Sequence, residues 1–524
     1  MYIEPNSKIY ICANVPLDER WDNTYLFDSK SDQIYYINNY FIATFDKYSY
    51  QRIGRGYLKV EAKADDLYGA NYMTFQNTAY GNKWFFAFIK SVDYINDNVT
   101  KINYEIDPVQ TWMFDWELGQ CFVEREHCID DTIGNNLIPE NIDCGDYMCE
   151  FVSQPQDLQT LCITLWCTIK EDYSDTGGVL ADGMFSGLYP VSKDDNGTYF
   201  TLDSAGTTAC KNWIDNIPIA KLNSIQFACV SPKYFMDFSN IVSGGETVAK
   251  NTSVKKYSNT GQLVDVRNNK TKCYPYNFLY VTNNHGKSAV YPYEYFNTAD
   301  CNFYINCDWT PNPTAFLYPV NYKGMSSNFD EGIELSGYPQ VAFNVDAFKA
   351  WLAQSASSIG MTALAATSQL VSPKVMTDPS IPSNAVNVSE LAGVATAAKV
   401  LSIIGSGVYS MIQPPQARGS QGGSIQVVSG IQNFTIIRKY VRPEFATIID
   451  NYFDMFGYAC RKVKVPNITW RLGWNYVKTV GCEISGNIPS DDIKKLKDIF
   501  DNGIRFWHQN TTIGDYTQPN NFPI

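Results

Sequence analysis

The stretch YMTFQNTAYGNKWFFAFIKSVDYINDNVTKINYEIDPVQTWMFDW, residues 72–116, decides the fold class. Its centre, Trp84-Phe85-Phe86-Ala87-Phe88-Ile89, is a nearly continuous aromatic strand. After the turn Asn96-Asp97-Asn98, Ile102, Tyr104 and Ile106 alternate with polar residues, which predicts a hairpin. Asp107-Pro108 then predicts a short helix with Asp as cap and Pro at the first position, carrying Val109, Trp112 and Met113 on its inner side. Upstream, SKIYICANV (7–15) and YLKVEAK (57–63) alternate too: Leu58, Val60 and Ala62 share one face, and Lys59, Glu61 and Lys63 the other. With 15% aromatic residues, 36 Tyr and 29 Phe among them, the expectation is a mainly β protein with minor α. Its 524 residues suffice for two to four domains.

The C-terminal part is equally well patterned. FTIIRKYV (434–441) reads as a strand. A helix then opens at Pro443, carries Phe445, Ile448, Ile449, Tyr452 and Phe456 at helical spacing, and closes at Gly457. A second helix begins at Ser490-Asp491-Asp492, is expected to bury Ile493, Leu496 and Phe500, and stops at Asn502-Gly503. The middle, residues 144–345, has no clear periodicity and many turn clusters, and reads as an inserted, surface-facing β-rich domain serving recognition or spacing.

Between the middle and the C-terminal part lies a different kind of sequence. No charge occurs between Lys349 and Lys374, nor between Lys399 and Arg418. Two weakly apolar arms, residues 355–372 and 391–412, flank PKVMTDPSIPSN (373–384), whose Pro373, Pro379 and Pro382 deny it a regular helix. Each arm is about as long as the roughly 20 residues that a helix needs to cross a hydrocarbon core. Ser355, Ser357, Ser358, Thr362, Thr367 and Gln369 dilute the first arm and Lys399 interrupts the second. Three readings stand side by side: a helical hairpin buried in a core, a two-span anchor, and a segment stored out of the bilayer and released into it. On the last, the membrane-active side chains are Trp351, Ile359, Met361, Leu364, Leu370, Val371, Leu391, Val394, Val400, Leu401, Ile403, Ile404, Val408, Met411 and Ile412. RGSQGGS (418–424) follows as a hinge through Gly419, Gly422 and Gly423. Patterned fold on both sides tethers the hairpin at each end.

Charge and chemistry narrow the function. With 41 basic and 54 acidic residues the net charge is −13, the wrong sign for binding nucleic acid through phosphate neutralisation. It suits a conduit through which DNA slides without sticking, although acidity is also ordinary in proteins that never meet DNA. Residues 1–20 lack a basic stretch followed by an apolar run, so no secretory signal is read. The 14 cysteines are therefore expected to stay free, most of them as small buried hydrophobes, and no Cys-x-x-Cys pair suggests zinc. Only His127, His285 and His508 could serve a histidine-dependent site, and they lie far apart in sequence. No phosphate-cradling loop is present, and no cofactor, metal or catalytic residue is expected. A hydrolytic carboxylate pair within residues 144–345 stays open as an alternative, because such chemistry needs only two acids at the right separation.

Several stretches resemble one family. TFQNTAYGNKWFFAF (74–88), YEIDPVQTWMFDW (104–116), FVEREH (122–127), PPQARG (414–419), and CEISGNIPSDDIKKLKDI running into FDNGIRFWH (482–508) are similar to the tail knob, or distal tail tube, proteins of small short-tailed bacteriophages of the phi-twenty-nine type. The likeness covers about the first 130 and the last hundred residues, with the apolar segment matching in position and character. It implies a homohexameric tube walled by antiparallel β-barrels from both termini, at the distal end of the virion tail and assembled in the host cytoplasm. It further implies that six apolar loops plug the tube until DNA ejection and then form a channel through the host cell membrane. The implied partners are other tail and connector proteins, the host membrane, and double-stranded DNA passing through the lumen without specific binding. The corresponding division is 1–143 and 425–524 as tube-forming parts, 144–345 as the middle insert and 346–424 as the apolar loop with its hinge. The alternative is an adsorption or wall-glycan-degrading tail component acting through the insert.

Overall fold

A computed structural model describes residues 6–48, 56–169, 187–236, 245–338, 340–346, 348–350, 352 and 433–522. The described residues are mainly β with a few helices, in two units. The first comprises Met1–Asp143, Lys256–Lys270 and Thr447–Ile524; the second comprises Cys144–Lys255 and Thr271–Ala446.

In the first unit the opening stretch forms the middle of a six-stranded antiparallel sheet. Its order is Phe41–Tyr48, Ser7–Ala13, Ala70–Asn77, Trp84–Asn96, Val99–Ile106, Tyr57–Val60. Phe85 to Ile89 are all buried, while the strand is largely wet from Lys90 onward. A run buried on consecutive residues is covered on both faces, which explains why it reads as continuous rather than alternating. Phe75 pairs with Phe85 across the ladder, the rings stacked 5.3 Å apart. In Tyr57–Val60 the alternation holds, with Leu58 and Val60 buried and Lys59 exposed. The Asp107 carboxylate accepts from Val109 N at 3.0 Å and Gln110 N at 3.1 Å, capping the short helix Pro108–Trp112, and Val109, Trp112 and Met113 are buried as expected.

A second sheet runs Thr24–Tyr25, Ile504–Trp507, Trp474–Val480, Cys121–Glu126, Tyr458–Lys464, antiparallel except for the first pair. Ile11, Phe75 and Phe86 from the beginning of the chain share one core with Val477, Leu496 and Phe506 from its end. The helix Ser490–Asn502 buries Leu496, Ile499 and Phe500, with Ile493 half-buried, and its Asp492 carboxylate accepts from Trp112 Nε1 at 2.9 Å.

The helix Pro443–Phe456 corrects its predicted face. Its buried positions are Ala446, Ile449, Asp450, Phe453 and Asp454, and Ile448 is 62% exposed. The stripe is rotated because two of the inward positions are carboxylates held by polar partners rather than apolar side chains. Gly457 closes the helix at φ +62°, where a Cβ would come within 2.2 Å of Glu126 O, so a left-handed residue without a side chain is needed there.

Among the described residues the second unit holds three antiparallel sheets. One runs Tyr189–Val191, Leu161–Cys167, Ile225–Pro232, Gln340–Ala342; another runs Gly245–Ala249, Asp300–Asp308, Thr314–Tyr322, Met325–Ser327, with Ile333–Leu335 also on Thr314–Tyr322. The third runs Tyr147–Ser153, Thr435–Val441, Asn277–Thr282, Ser288–Tyr291. Leu161–Cys167 is buried at every position but its first, so its sequence carries no alternation. Thr435–Val441, grouped by sequence position with the C-terminal part, is hydrogen-bonded here, between Tyr147–Ser153 and Asn277–Thr282.

Candidate functional site at the roots of the apolar segment

On the two sides of the charge-poor segment, the described residues end at Leu352 and resume at Asn433. On the leading side, the strand Gln340–Ala342 adds to Ile225–Pro232 through Cys229↔Gln340, Ala228↔Val341 and Phe227↔Ala342. Phe348 and Leu352 are then fully buried in the second unit's core, and the Phe343 ring lies 5.2 Å from that of Phe348. Phe348 N donates to Asn344 O at 2.7 Å, and Lys349 pairs with Asp215 on the helix Ser204–Asn216.

On the returning side, Asn433 and Phe434 are fully buried, Phe434 in that same core. Asn433 Nδ2 donates to Pro155 O at 2.9 Å, while Asn433 O accepts from Asn284 Nδ2 at 2.8 Å. Three residues into the following strand, the buried Arg438 donates through Nε to Asn277 Oδ1 at 3.0 Å and pairs with Glu150 at 3.0 Å. Each buried Phe or Leu contributes about 1.5–3 kcal/mol, so both roots are held by the stability of the unit itself. The geometry is two fixed points in one core. Of the residues named from sequence, Trp351, the apolar positions from Ile359 to Ile412, and Gly419, Gly422 and Gly423 lie outside the described residues. Among the described residues no helix is long and apolar enough to cross a membrane.

A polar cluster in the first unit escaped the sequence reading. Asp450, fully buried, pairs with Lys256 at 2.5 Å and accepts from Arg267 N at 3.0 Å and Asn268 N at 2.9 Å. Asp454, one turn on, pairs with Arg267 and accepts from Asn268 Nδ2 at 2.9 Å; burial, helped by the charge of Asp450, pushes its carboxyl up to about 6. Asp454 lines a cavity of about 570 Å³ together with Asp131, Thr132, Arg267, Asn268, Arg471 and Asn520. The partners sit nearly two hundred residues away in sequence, so no local pattern announces them. Within the second unit, Glu331, Glu334 and Asp215 pair with Lys323, Lys287 and Lys349. All 14 cysteines are free thiols, nine of them buried, and among the described residues no cluster of His, Cys, Asp and Glu could hold a metal ion.

Comparison with known proteins gives the context for this architecture. Residues 237–521 match the model of the C-terminal domain of tail knob protein gp9 from Bacillus phage phi29, and residues 5–117 match that of the caudoviral major tail protein N-terminus. The tail knob protein gp9 of Bacillus phage phi29 is 24% identical across 98% of this chain and 98% of its own, and that of Bacillus phage B103 matches at the same identity and coverage. Among solved structures, the tail knob protein gp12 of bacteriophage C1 superposes with a TM-score of 0.58 over 99% of this chain and 100% of that one, at 15% identity, a likeness of fold. The chain therefore belongs to the tail knob proteins of phi29-like phages, structural components of the virion tail.

Proposed function

We propose that six copies form a tube at the distal end of the tail, assembled in the host cytoplasm alongside other tail and connector proteins. In this reading antiparallel β-barrels from residues 1–143 and the C-terminal part wall the tube, double-stranded DNA passes through it without specific binding, and no covalent chemistry takes place. Loop 346–424 of each copy is the membrane-active element, swinging on Gly419, Gly422 and Gly423 to insert its apolar side chains into the host cell membrane.

The observation that carries the proposal is the seating of Leu352 and Phe434 in one core, at the two ends of a charge-poor segment. A segment fixed at both ends enters a bilayer while staying attached to the particle. Its apolar side chains supply about 1.5–3 kcal/mol each on burial, and its hydroxyls are accommodated where they bond within a bundle or line a water-filled pore. Lys399 then faces the lumen or reaches the interface along its aliphatic stem.

The test compares dye release from anionic liposomes by the full chain and by a variant whose residues 355–411 are replaced with a short Gly/Ser linker. Both are sized by light scattering. Leakage by the full chain alone, with both hexameric, is the expected result. A hexameric full chain that releases no dye at any pH would remove membrane entry from this chain and leave the segment a plug or packing element.

A further inference from the structure

We infer that copies of this chain pack head to tail through two surfaces of the first unit, an apolar-basic row on one copy and an acidic-aromatic corner on the next. The inference rests on the proposed ring and names the contact that would build it.

The row lies on the second sheet of the unit. Phe122 on the strand Cys121–Glu126 stands opposite Val463 on one neighbour and Val480 on the other. All three are exposed, at 39%, 70% and 56%, and so line up across three adjacent strands. The alternate residues Cys121, Val123 and Thr479 are buried, so this face points outward by design of the pleat. Isolated exposed apolar residues are ordinary, but a cross-strand row of three is a contiguous patch of the kind that marks contact surfaces.

The row ends at the sheet's outer strand, Tyr458–Lys464, where a register shift between Ala459 and Lys462 forms a bulge and Arg461 adopts φ +48°. Arg461 and Lys462 are exposed on this edge and form no ion pair among the described residues; Arg461 sits in the bulge, and Lys462 stands opposite the buried Val123, on the other side of the strand from Val463. A bulge and two cations on an edge strand oppose the addition of another strand, so the contact is made by side chains of the face and not by the backbone ladder. Cations along the edge of a row of three apolar side chains do not suit a phosphate backbone, which offers nothing to Phe122, Val463 or Val480. They suit a protein surface with acids around an aromatic anchor.

The same unit carries such a surface at the outer edge of its six-stranded sheet. Past the edge strand Tyr57–Val60, Glu61, Asp65 and Asp66 are exposed and unpaired among the described residues. Tyr68, three residues after Asp65 and therefore on the same side of the helical turn, is 84% exposed. Lys59 and Lys63 stand among these acids and leave the corner with one net negative charge, concentrated at Asp65 and Asp66 beside Tyr68. One chain thus presents both halves of a complementary contact, and a contact between different patches of identical chains repeats until the rotation closes a ring.

The experiment measures assembly of the full chain by light scattering and sedimentation over a concentration series. Three variants are compared with it: Arg461→Glu with Lys462→Glu, Asp65→Lys with Asp66→Lys, and all four together. Circular dichroism and the thermal midpoint confirm that each is folded. Each pair of reversals is expected to raise the concentration for half-assembly at least tenfold, and the fourfold variant to recover most of the loss. Val463→Asp, which places a charge in the row, is expected to weaken assembly in every background. If both pairs assemble like the parent, or if the fourfold variant is no better than the pairs, the two surfaces do not meet and the inference falls while the ring stands. A parent chain that stays monomeric at all concentrations would overturn the ring as well.

Discussion

His127 is held neutral by its surroundings, and the hydrogen bonds fix which nitrogen carries the proton. Nε2 lies 3.0 Å from Asp454 O, a carbonyl that can only accept, while Nδ1 accepts from Tyr476 N at 2.8 Å. A second proton on Nδ1 would break the latter bond inside a buried site, and burial, together with the nearby Arg471 charge, pushes the imidazole down to about 3. In the unfolded chain it titrates near 6.5, so below that pH the unfolded state binds the extra proton and the folded state does not. Stability from this residue is complete above about 6.5 and is lost at about 1.4 kcal/mol per pH unit down to about 3. Asp107 and Asp454 act in the opposite sense: burial raises both to about 6, so their folded forms are favoured as pH falls through that value. The histidine is isolated by difference. Urea unfolding of the parent and of His127→Gln, whose amide can donate and accept in the same places, should converge as pH drops from 7 to 4.5. Parallel profiles would mean that His127 is protonated in the folded chain.

At the scale of elements, the helix Pro443–Phe456 shows what a one-dimensional pattern misses. Its apolar letters favour a face through Ile448, but Asp450 and Asp454 turn inward to meet Lys256, Arg267 and Asn268 from the returning segment Lys256–Lys270. Lys256 is itself buried, so Asp450→Ala leaves a cation away from water with only the more distant Asp454 carboxylate, at 3.9 Å, and Asn451 Oδ1, at 3.2 Å, beside it, and a loss of about 3–5 kcal/mol is expected. Ile448→Ser should change stability by no more than about 0.5 kcal/mol. Chemical denaturation midpoints check both, and a reversed order would restore the apolar face. The contrast explains legibility elsewhere. Tyr57–Val60 and the cap at Asp107 could be read because one face is wet and the cap is local in sequence. Leu161–Cys167 could not, because both its faces are covered, and Thr435–Val441 was misplaced because its partners are hydrogen-bonded across long separations. For the candidate site, the charge-poor segment was visible as composition, whereas its anchors Phe348 and Asn433 carry no signal that distinguishes them from any other core residue.

For the whole molecule, the decisive quantity is the net charge of −13. On the proposed ring, chains of this net charge disfavour neutralising the phosphates of a passing duplex and releasing their counterions, the two effects that supply nearly all non-specific affinity. Every contact made would have to be broken again as the next turn of DNA arrives, so a conduit works fastest when no contact forms. Local exceptions exist, Arg461 and Lys462 among them, but on the proposed assembly these are covered by the acids of the neighbouring copy. The expected outcome is that the assembled full chain retards no duplex fragment at ~150 mM salt, where charges farther apart than about 8 Å are screened, and still retards none when salt is lowered tenfold. The low-salt arm is the discriminating one: a lumen with a hidden basic track would bind there with a logarithmic slope near −0.9 for each phosphate contacted. Steep salt-dependent binding by the assembled chain, absent from the Arg461→Glu, Lys462→Glu variant, would instead place that basic edge against DNA and leave the ring to be held by other surfaces.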